Sequence, residues 1–380
     1  MNGSVRAYLR QLRRGILAGL KAGGAFSRVA RSQWRTRRLL ILCYHGVSLI
    51  DEHEQDPGFY MRPSLLAARL AMLKGSGYTV LPLCEGLERL RAGSLPPRSV
   101  CLTFDDGMNN FAVAALPLLE RFGCPVTMYM STYYCIHDEP VFDSLCSYLL
   151  HKARGRVVDT RARLGVDDVW DLRTFNGVIR AFWSVQRAVE QQALDRAEKT
   201  AFARRIAELL SVPFEVLIAK RLFHLLRPDD VRRLAQRGVD FQLHTHRHRS
   251  PLDRDLYLRE MRDNRTHLEA LVGYAPTHLS YPSGVWRSEF LPWLREAEIA
   301  SATTAEPGLA EPDDNPLLLP RVMDSEHLTA IEFEGWLTGL MSWLVRRNGS
   351  QRVVGNRSDR RSRVSGPEAA PRGVERRVQA

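Results

Sequence analysis

Ser99-Val100-Cys101-Leu102-Thr103-Phe104-Asp105-Asp106-Gly107 joins a short apolar run to two adjacent carboxylates and a glycine. The run has the make-up of a buried strand, and Gly107 allows the backbone to turn at once, so both carboxylates are left where the strand ends. In α/β enzymes built on parallel strands, that end is where the chemistry sits. Asp-Asp-Gly is also ordinary turn chemistry, so the reading needs support from the rest of the chain.

Working outward, strands alternate with helices. Before this stretch come a strand at Leu39–Tyr44, an amphipathic helix at Pro63–Gly77, a short strand at Tyr78–Pro82 and a helix at Leu83–Ala92. After it come a helix at Asn110–Phe122 and a strand at Pro125–Ser131, with further strands at Val239–Leu243, His278–Tyr281 and Ser301–Thr304. Strands separated by helices need crossover connections, and so a largely parallel α/β sheet. Residues 138–230 break the rhythm with helical stretches rich in Ala, Arg, Glu and Leu, among them Ala181–Leu210 and Pro213–Leu225. They are expected to form a helical insertion, since the strand pattern resumes after them.

The 380 residues, 44% of them hydrophobic, are enough for a full core. The net charge of +11 is concentrated at the ends: residues 1–40 hold ten Lys+Arg and no acid, and residues 346–380 hold ten Arg against three acids, which leaves the interior at −6. A mildly acidic body offers no basic groove for phosphates, so no nucleic-acid partner is expected. In residues 1–36, Arg alternates with Tyr8, Leu9, Leu12, Ile16, Leu17 and Leu20 near helical spacing. This basic amphipathic helix would either lie on a membrane surface or dock on the body. The tail from Arg346 lacks periodicity and is expected to be disordered. The six cysteines form no CxxC pair or regular framework, which fits reduced core residues. With no secretory signal and no run of about 20 apolar residues, the expected location is cytoplasmic, at the inner face of the membrane if the first helix binds there.

The second chemical signal is His244-Thr245-His246-Arg247-His248, leaving the strand Val239–Leu243. If the exit makes a helical turn, His244 and His248 share a face and His246 points away. Two histidines with one aspartate form a divalent-metal set with room for water and substrate, suited to zinc and also to iron, cobalt or nickel. A histidine-rich loop open to solvent is the plain alternative.

Together these residues resemble the polysaccharide deacetylase family, also called the NodB homology domain. Thr103–Gly107 is similar to its first motif and His244-Thr245-x-x-His248 to its second. The resemblance runs from about Leu39 to Met323, insertion excluded, and implies a distorted (β/α) barrel of about seven parallel strands within residues 37–345. By position it makes Asp105 the general base and Asp106, His244 and His248 the metal ligands. Ser280-Tyr281-Pro282-Ser283-Gly284 resembles a third motif, with Ser283 in place of an aromatic residue and without the usual preceding arginine. The Ser283 N–H would still serve an oxyanion, since a main-chain donor does not depend on its side chain, and Tyr281 stands beside it. Arg321 is the candidate replacement arginine, with a plain surface arginine as the alternative. The C-terminal Leu-x-His motif is absent. Leu42-Cys43-Tyr44-His45 instead resembles the exopolysaccharide poly-N-acetylglucosamine deacetylases, whose strand order is circularly shifted, making His45 the general acid and His327 a weaker candidate.

The resemblance implies a metal-dependent hydrolase that removes an acetyl group from nitrogen on an N-acetylated carbohydrate. A deformylase of a lipid-linked amino sugar and a non-catalytic glycan-binding protein are the alternatives.

Overall fold

The computed structural model describes residues 3–164 and 168–345. The Arg-rich tail 346–380, expected to be disordered, lies outside the described residues. Seven parallel strands make the wall of a distorted (β/α) barrel: β1 (Leu40–Tyr44), β2 (Ser99–Phe104), β3 (Thr127–Met130), β4 (Asp240–Leu243), β5 (His278–Ser280), β6 (Ser301–Thr303) and β7 (Val322–Met323). Their order is β6-β5-β4-β3-β2-β1-β7. The ring closes because one stretch of chain serves both edges. Leu319 exchanges backbone hydrogen bonds with Ala302 and Thr304 beside β6, and a few residues later Val322 and Met323 pair with Leu42 and Cys43 of β1.

One edge of β2 is shared. Thr79–Val80 pairs with Ser99 and Val100, and β3 takes over at Thr103 and Phe104. Alternate residues along the strands divide the core. Leu40, Leu42, Val100, Leu102, Met128 and Phe241 pack outward with the surrounding helices, while Leu39, Ile41, Cys101, Tyr129 and Leu319 form a second cluster with the helix Leu83–Arg91. A side chain at Gly86 of that helix would strike the Cys101 sulfur, so the glycine sets the close approach.

Three helical expectations change in detail, one of them Pro213–Leu225, whose α-helix spans only Phe214–Ala219. Asn110–Phe122 becomes a π-turn, Phe111–Ala115, followed by an α-helix, Leu116–Arg121, because Pro117 has no N–H to continue the α ladder backwards. Ala181–Leu210 is two helices, Phe175–Gln191 and Arg196–Leu209, broken where Ala193 is left-handed and Asp195 begins a capping box. The insertion also contains an antiparallel pair, Val157–Asp159 with Val169–Asp171, and has its own apolar core around Trp170, Tyr148 and Phe202. It is tied to the barrel just beyond the aspartate pair: Leu226 N–H donates to Gly107 O and Asn109 N–H to His224 O, both at 2.8 Å.

The basic N-terminal segment forms three helices, Gly3–Ala22, Ala25–Ala30 and Gln33–Thr36. It docks on the helix Ala330–Thr338 through fully buried Leu17 and buried Phe26, with Arg13 paired to Glu332 and Lys21 to Glu334. Leu12 of the same helix remains 49% exposed. Leu17→Ala should therefore cost about 2–5 kcal/mol in denaturant unfolding, and Leu12→Ala should stay within about 0.5 kcal/mol of the parent.

Candidate active site

The carboxyl ends of β1, β2, β4 and β5 bring His45, Asp105, Asp106, His244 and Ser280 together. Asp105, the first residue past β2, is held by its N–H to Tyr44 O. Arg321, 3% exposed, grips its carboxylate with both forks, Nη1 to Oδ1 at 2.8 Å and Nη2 to Oδ2 at 2.6 Å. The guanidinium is itself fixed by Nε donating to Thr304 O at 2.9 Å and Nη2 donating to Ser280 Oγ at 2.7 Å. Ser280 Oγ in turn donates to Asp105 Oδ2 at 3.0 Å. Burial pushes the Asp105 carboxyl upward, but the charge and hydrogen bonds of Arg321 outweigh it and hold it at about 2. Arg321 is thus no surface residue. His45 Nε2 faces Asp105 Oδ2 across 3.9 Å, its ring tilted against Phe59.

Asp106 turns the other way. It and Gly107 are both left-handed, at φ 72° and 83°. Aspartate tolerates this conformation better than most residues, while Gly107 is required twice over, since a Cβ there would also lie 2.8 Å from the Met130 side chain. The turn places Asp106 Oδ1 3.0 Å from His244 Nε2 and 3.2 Å from His248 Nε2. The histidines do not meet through a helical turn: left-handed Thr245 and His248 fold the exit of β4 back, bringing the rings to 4.9 Å.

Three atoms bound to one tetrahedral cation at about 2.0–2.1 Å would lie about 3.3 Å apart, close to the separations here. Two further observations fit a cation. Asp106 Oδ1 is buried without a well-aligned hydrogen bond. His244 Nδ1 lies 2.8 Å from Ser280 O, so Nδ1 carries the proton and Nε2 presents its lone pair. Burial opposes charge on Asp106, but the two histidines hold its carboxyl well below the usual range; burial likewise opposes charge on His248, but Asp106 raises its pKa. A divalent ion in the same place would displace those protons.

Other residues fall outside this cluster. Tyr281 is buried in the outer cluster between strands and helices, its hydroxyl donating to Leu317 O at 3.0 Å, so it supports the turn and does not face substrate. Ser283 is left-handed and exposed in the turn Pro282–Gly284. His327 is exposed on the loop after β7. His246 turns away, its Nδ1 2.8 Å from Thr132 Oγ1 and its ring stacked on His267.

Sequence reading assigned no role to two residues that position the site. The Ser280 hydroxyl lay within the quoted third motif. Asn264 carried no signal: it is mid-helix, and its partners are distant in sequence. Its Oδ1 accepts the His244 N–H at 2.9 Å, and its Nδ2 donates to Met130 O and Thr132 Oγ1.

Removing one partner of a buried ion pair strands the other charge, so Arg321→Met should cost about 3–5 kcal/mol in denaturant unfolding. The loss should be largest above the carboxyl's ordinary 3.8 and shrink as the pH falls towards about 2, because the folded-state value is depressed. Asn264→Ala should weaken zinc binding about 10- to 100-fold in calorimetric titration, since the His244 backbone loses its anchor.

A family model described as Polysaccharide deacetylase matches residues 92–147 and 171–302. His45 and Arg321 lie outside both segments. Over 100 residues the chain is 31% identical to the poly-beta-1,6-N-acetyl-D-glucosamine N-deacetylase of Escherichia coli K12; the match covers 26% of this chain and only 15% of that relative. Among solved structures, the Streptococcus pyogenes deacetylase PplD, in complex with acetate, aligns with a TM-score of 0.52 at 18% identity, covering 80% of this chain and 97% of that one. IcaB from Ammonifex degensii aligns with a TM-score of 0.50 at 16% identity, covering 79% and 97%. Both likenesses are of fold. The matched segments contain both metal-site motifs, and the chain belongs to the polysaccharide deacetylase family.

Proposed function

We propose that this chain is a metal-dependent hydrolase, zinc being the metal best suited, that removes an N-linked acetyl group from an amino sugar of a polysaccharide or glycan precursor. The observation that carries the reading is the convergence of Asp106, His244 and His248 beside an Asp105 locked by Arg321. The activity for which the Escherichia coli relative is named supports the substrate class.

Asp106, His244 and His248 would hold the cation, which when bound supplies Lewis acidity to the acyl carbonyl and acidifies water. Asp105 stays ionised at neutral pH, and its fixed carboxylate accepts the proton of the attacking water. The fork that orients Asp105 also lowers its basicity, so precise placement is gained at some loss of proton affinity. His45 faces Asp105 from the neighbouring strand. Burial lowers the His45 pKa more than the two aspartates raise it, so the ring is the stronger acid in its protonated form, the form that would donate to the departing amine. The Ser283 N–H, on the turn that follows Ser280, is the main-chain donor for the oxyanion. Tyr281 holds that turn in place from within the core.

Acetate release from a panel of N-acetylated sugars and their oligomers tests the reaction. Turnover should fall to background with a chelator and in His244→Ala. Asp105→Asn should also lose turnover while still binding one zinc per chain in calorimetric titration. A fully active Asp105→Asn enzyme would remove Asp105 from its role as base. Formate release from the N-formylated counterparts of these sugars, with no acetate released from the N-acetylated ones, would move the reaction to deformylation.

A further inference from the structure

We propose that the helix Gly3–Ala22 holds this protein against an anionic lipid bilayer, inserting Tyr8, Leu12 and Ile16 among the headgroups. Docking fixes which way the helix faces. Leu17 is buried against the body, and the Arg13 and Lys21 pairs tie the same helix to Ala330–Thr338. What remains outside is a row at every fourth position: Tyr8 is 67% exposed, Leu12 49% and Ile16 44%. At 1.5 Å per residue the row extends about 12 Å along the axis. This is an apolar stripe on a helix whose inward face is already occupied.

The helix Leu340–Leu344 packs on the same Ala330–Thr338 helix. It adds Trp343, 57% exposed, with its ring 5.0 Å from Trp34 of the N-terminal segment. Tryptophan and tyrosine favour the headgroup level of a membrane, where one end of the ring is apolar and the other wet.

Charge selects the occupant. Residues 1–40 contain no acid, and among the described residues no carboxylate pairs with exposed Arg10, Arg28, Arg31 or Arg37. An anionic bilayer satisfies both features, taking up the apolar row and meeting the cations. The tail 346–380 is a poor cover for this face because it is itself strongly basic. A nucleic acid would answer the cations and leave the aliphatic row unexplained. Among the described residues no helix is long and apolar enough to cross a membrane, so the contact is interfacial.

The test is co-sedimentation of the full chain with vesicles of phosphatidylglycerol and phosphatidylcholine, against phosphatidylcholine alone. The parent should bind the anionic vesicles and bind the neutral ones far more weakly. Leu12→Ser with Ile16→Ser should reduce binding at least about tenfold, with an unchanged thermal midpoint because both side chains are exposed. Absence of vesicle binding would overturn the proposal. So would binding that the double variant leaves intact and salt alone abolishes, since the apolar row would then play no part. Salt-sensitive capture of duplex DNA without vesicle binding would reassign the face to nucleic acid. The readout needs no turnover, so its failure is distinct from failure of the deacetylase reading.

Discussion

The fork of Arg321 on Asp105 is the contact through which the barrel and the site constrain each other. Arg321 precedes the strand that closes the ring, and its guanidinium binds the end of β2, the Thr304 carbonyl beyond β6 and the hydroxyl at the end of β5. A buried ion pair of this kind is a poor source of net stability, because desolvating two charges costs about as much as their attraction returns. Its effect is geometric. The planar guanidinium meets the carboxylate along two parallel bonds, which fixes both the distance and the rotation of Asp105.

The adjacent aspartates divide their work through backbone conformation. Asp105 continues the line of β2 and stays inside with the arginine, while left-handed Asp106 swings its carboxylate toward the histidines. Neighbouring carboxylates would ordinarily oppose one another's ionisation. Here each has its own counter-charge, the guanidinium for one and the imidazoles or a cation for the other, so both remain anionic. Ser280 couples the halves: its hydroxyl takes part in the arginine network and its carbonyl fixes the tautomer of His244.

The additions to the barrel attach at places with different consequences. The insertion, with its own apolar core, returns to the barrel along Gly107–Asn109, and Phe223 reaches Tyr60 in the short strand Tyr60–Met61 beyond β1. It therefore borders the site. The N-terminal helices instead pack on Ala330–Thr338 near the chain's far end, where buried Arg35 also donates to Leu337 O and Ser99 O.

Local sequence determined much of this protein. Apolar runs ending in Asp-Asp-Gly and in a histidine cluster marked strands with chemistry at their exits, and their alternation with helices required a parallel sheet. Charge counting located the basic ends, because charge is a property of composition. Tertiary structure alone decided the rest. The arginine that holds Asp105 is 216 residues away from it, and no local pattern separates Arg321 from a surface arginine. Asn264 reads as one more polar residue of a charged helix until the fold places the His244 N–H against it. The histidines converge through left-handed turns because the path out of β4 is set by its neighbours, whereas spacing alone suggested a helix. Tyr281 lies away from the site because alternation along the chain, with Ser280 turned to Asp105, directs it outward among the surrounding helices. Periodicity and turn chemistry are short-range and survive in the sequence; the partner of a buried polar group is fixed only when distant strands close into a ring.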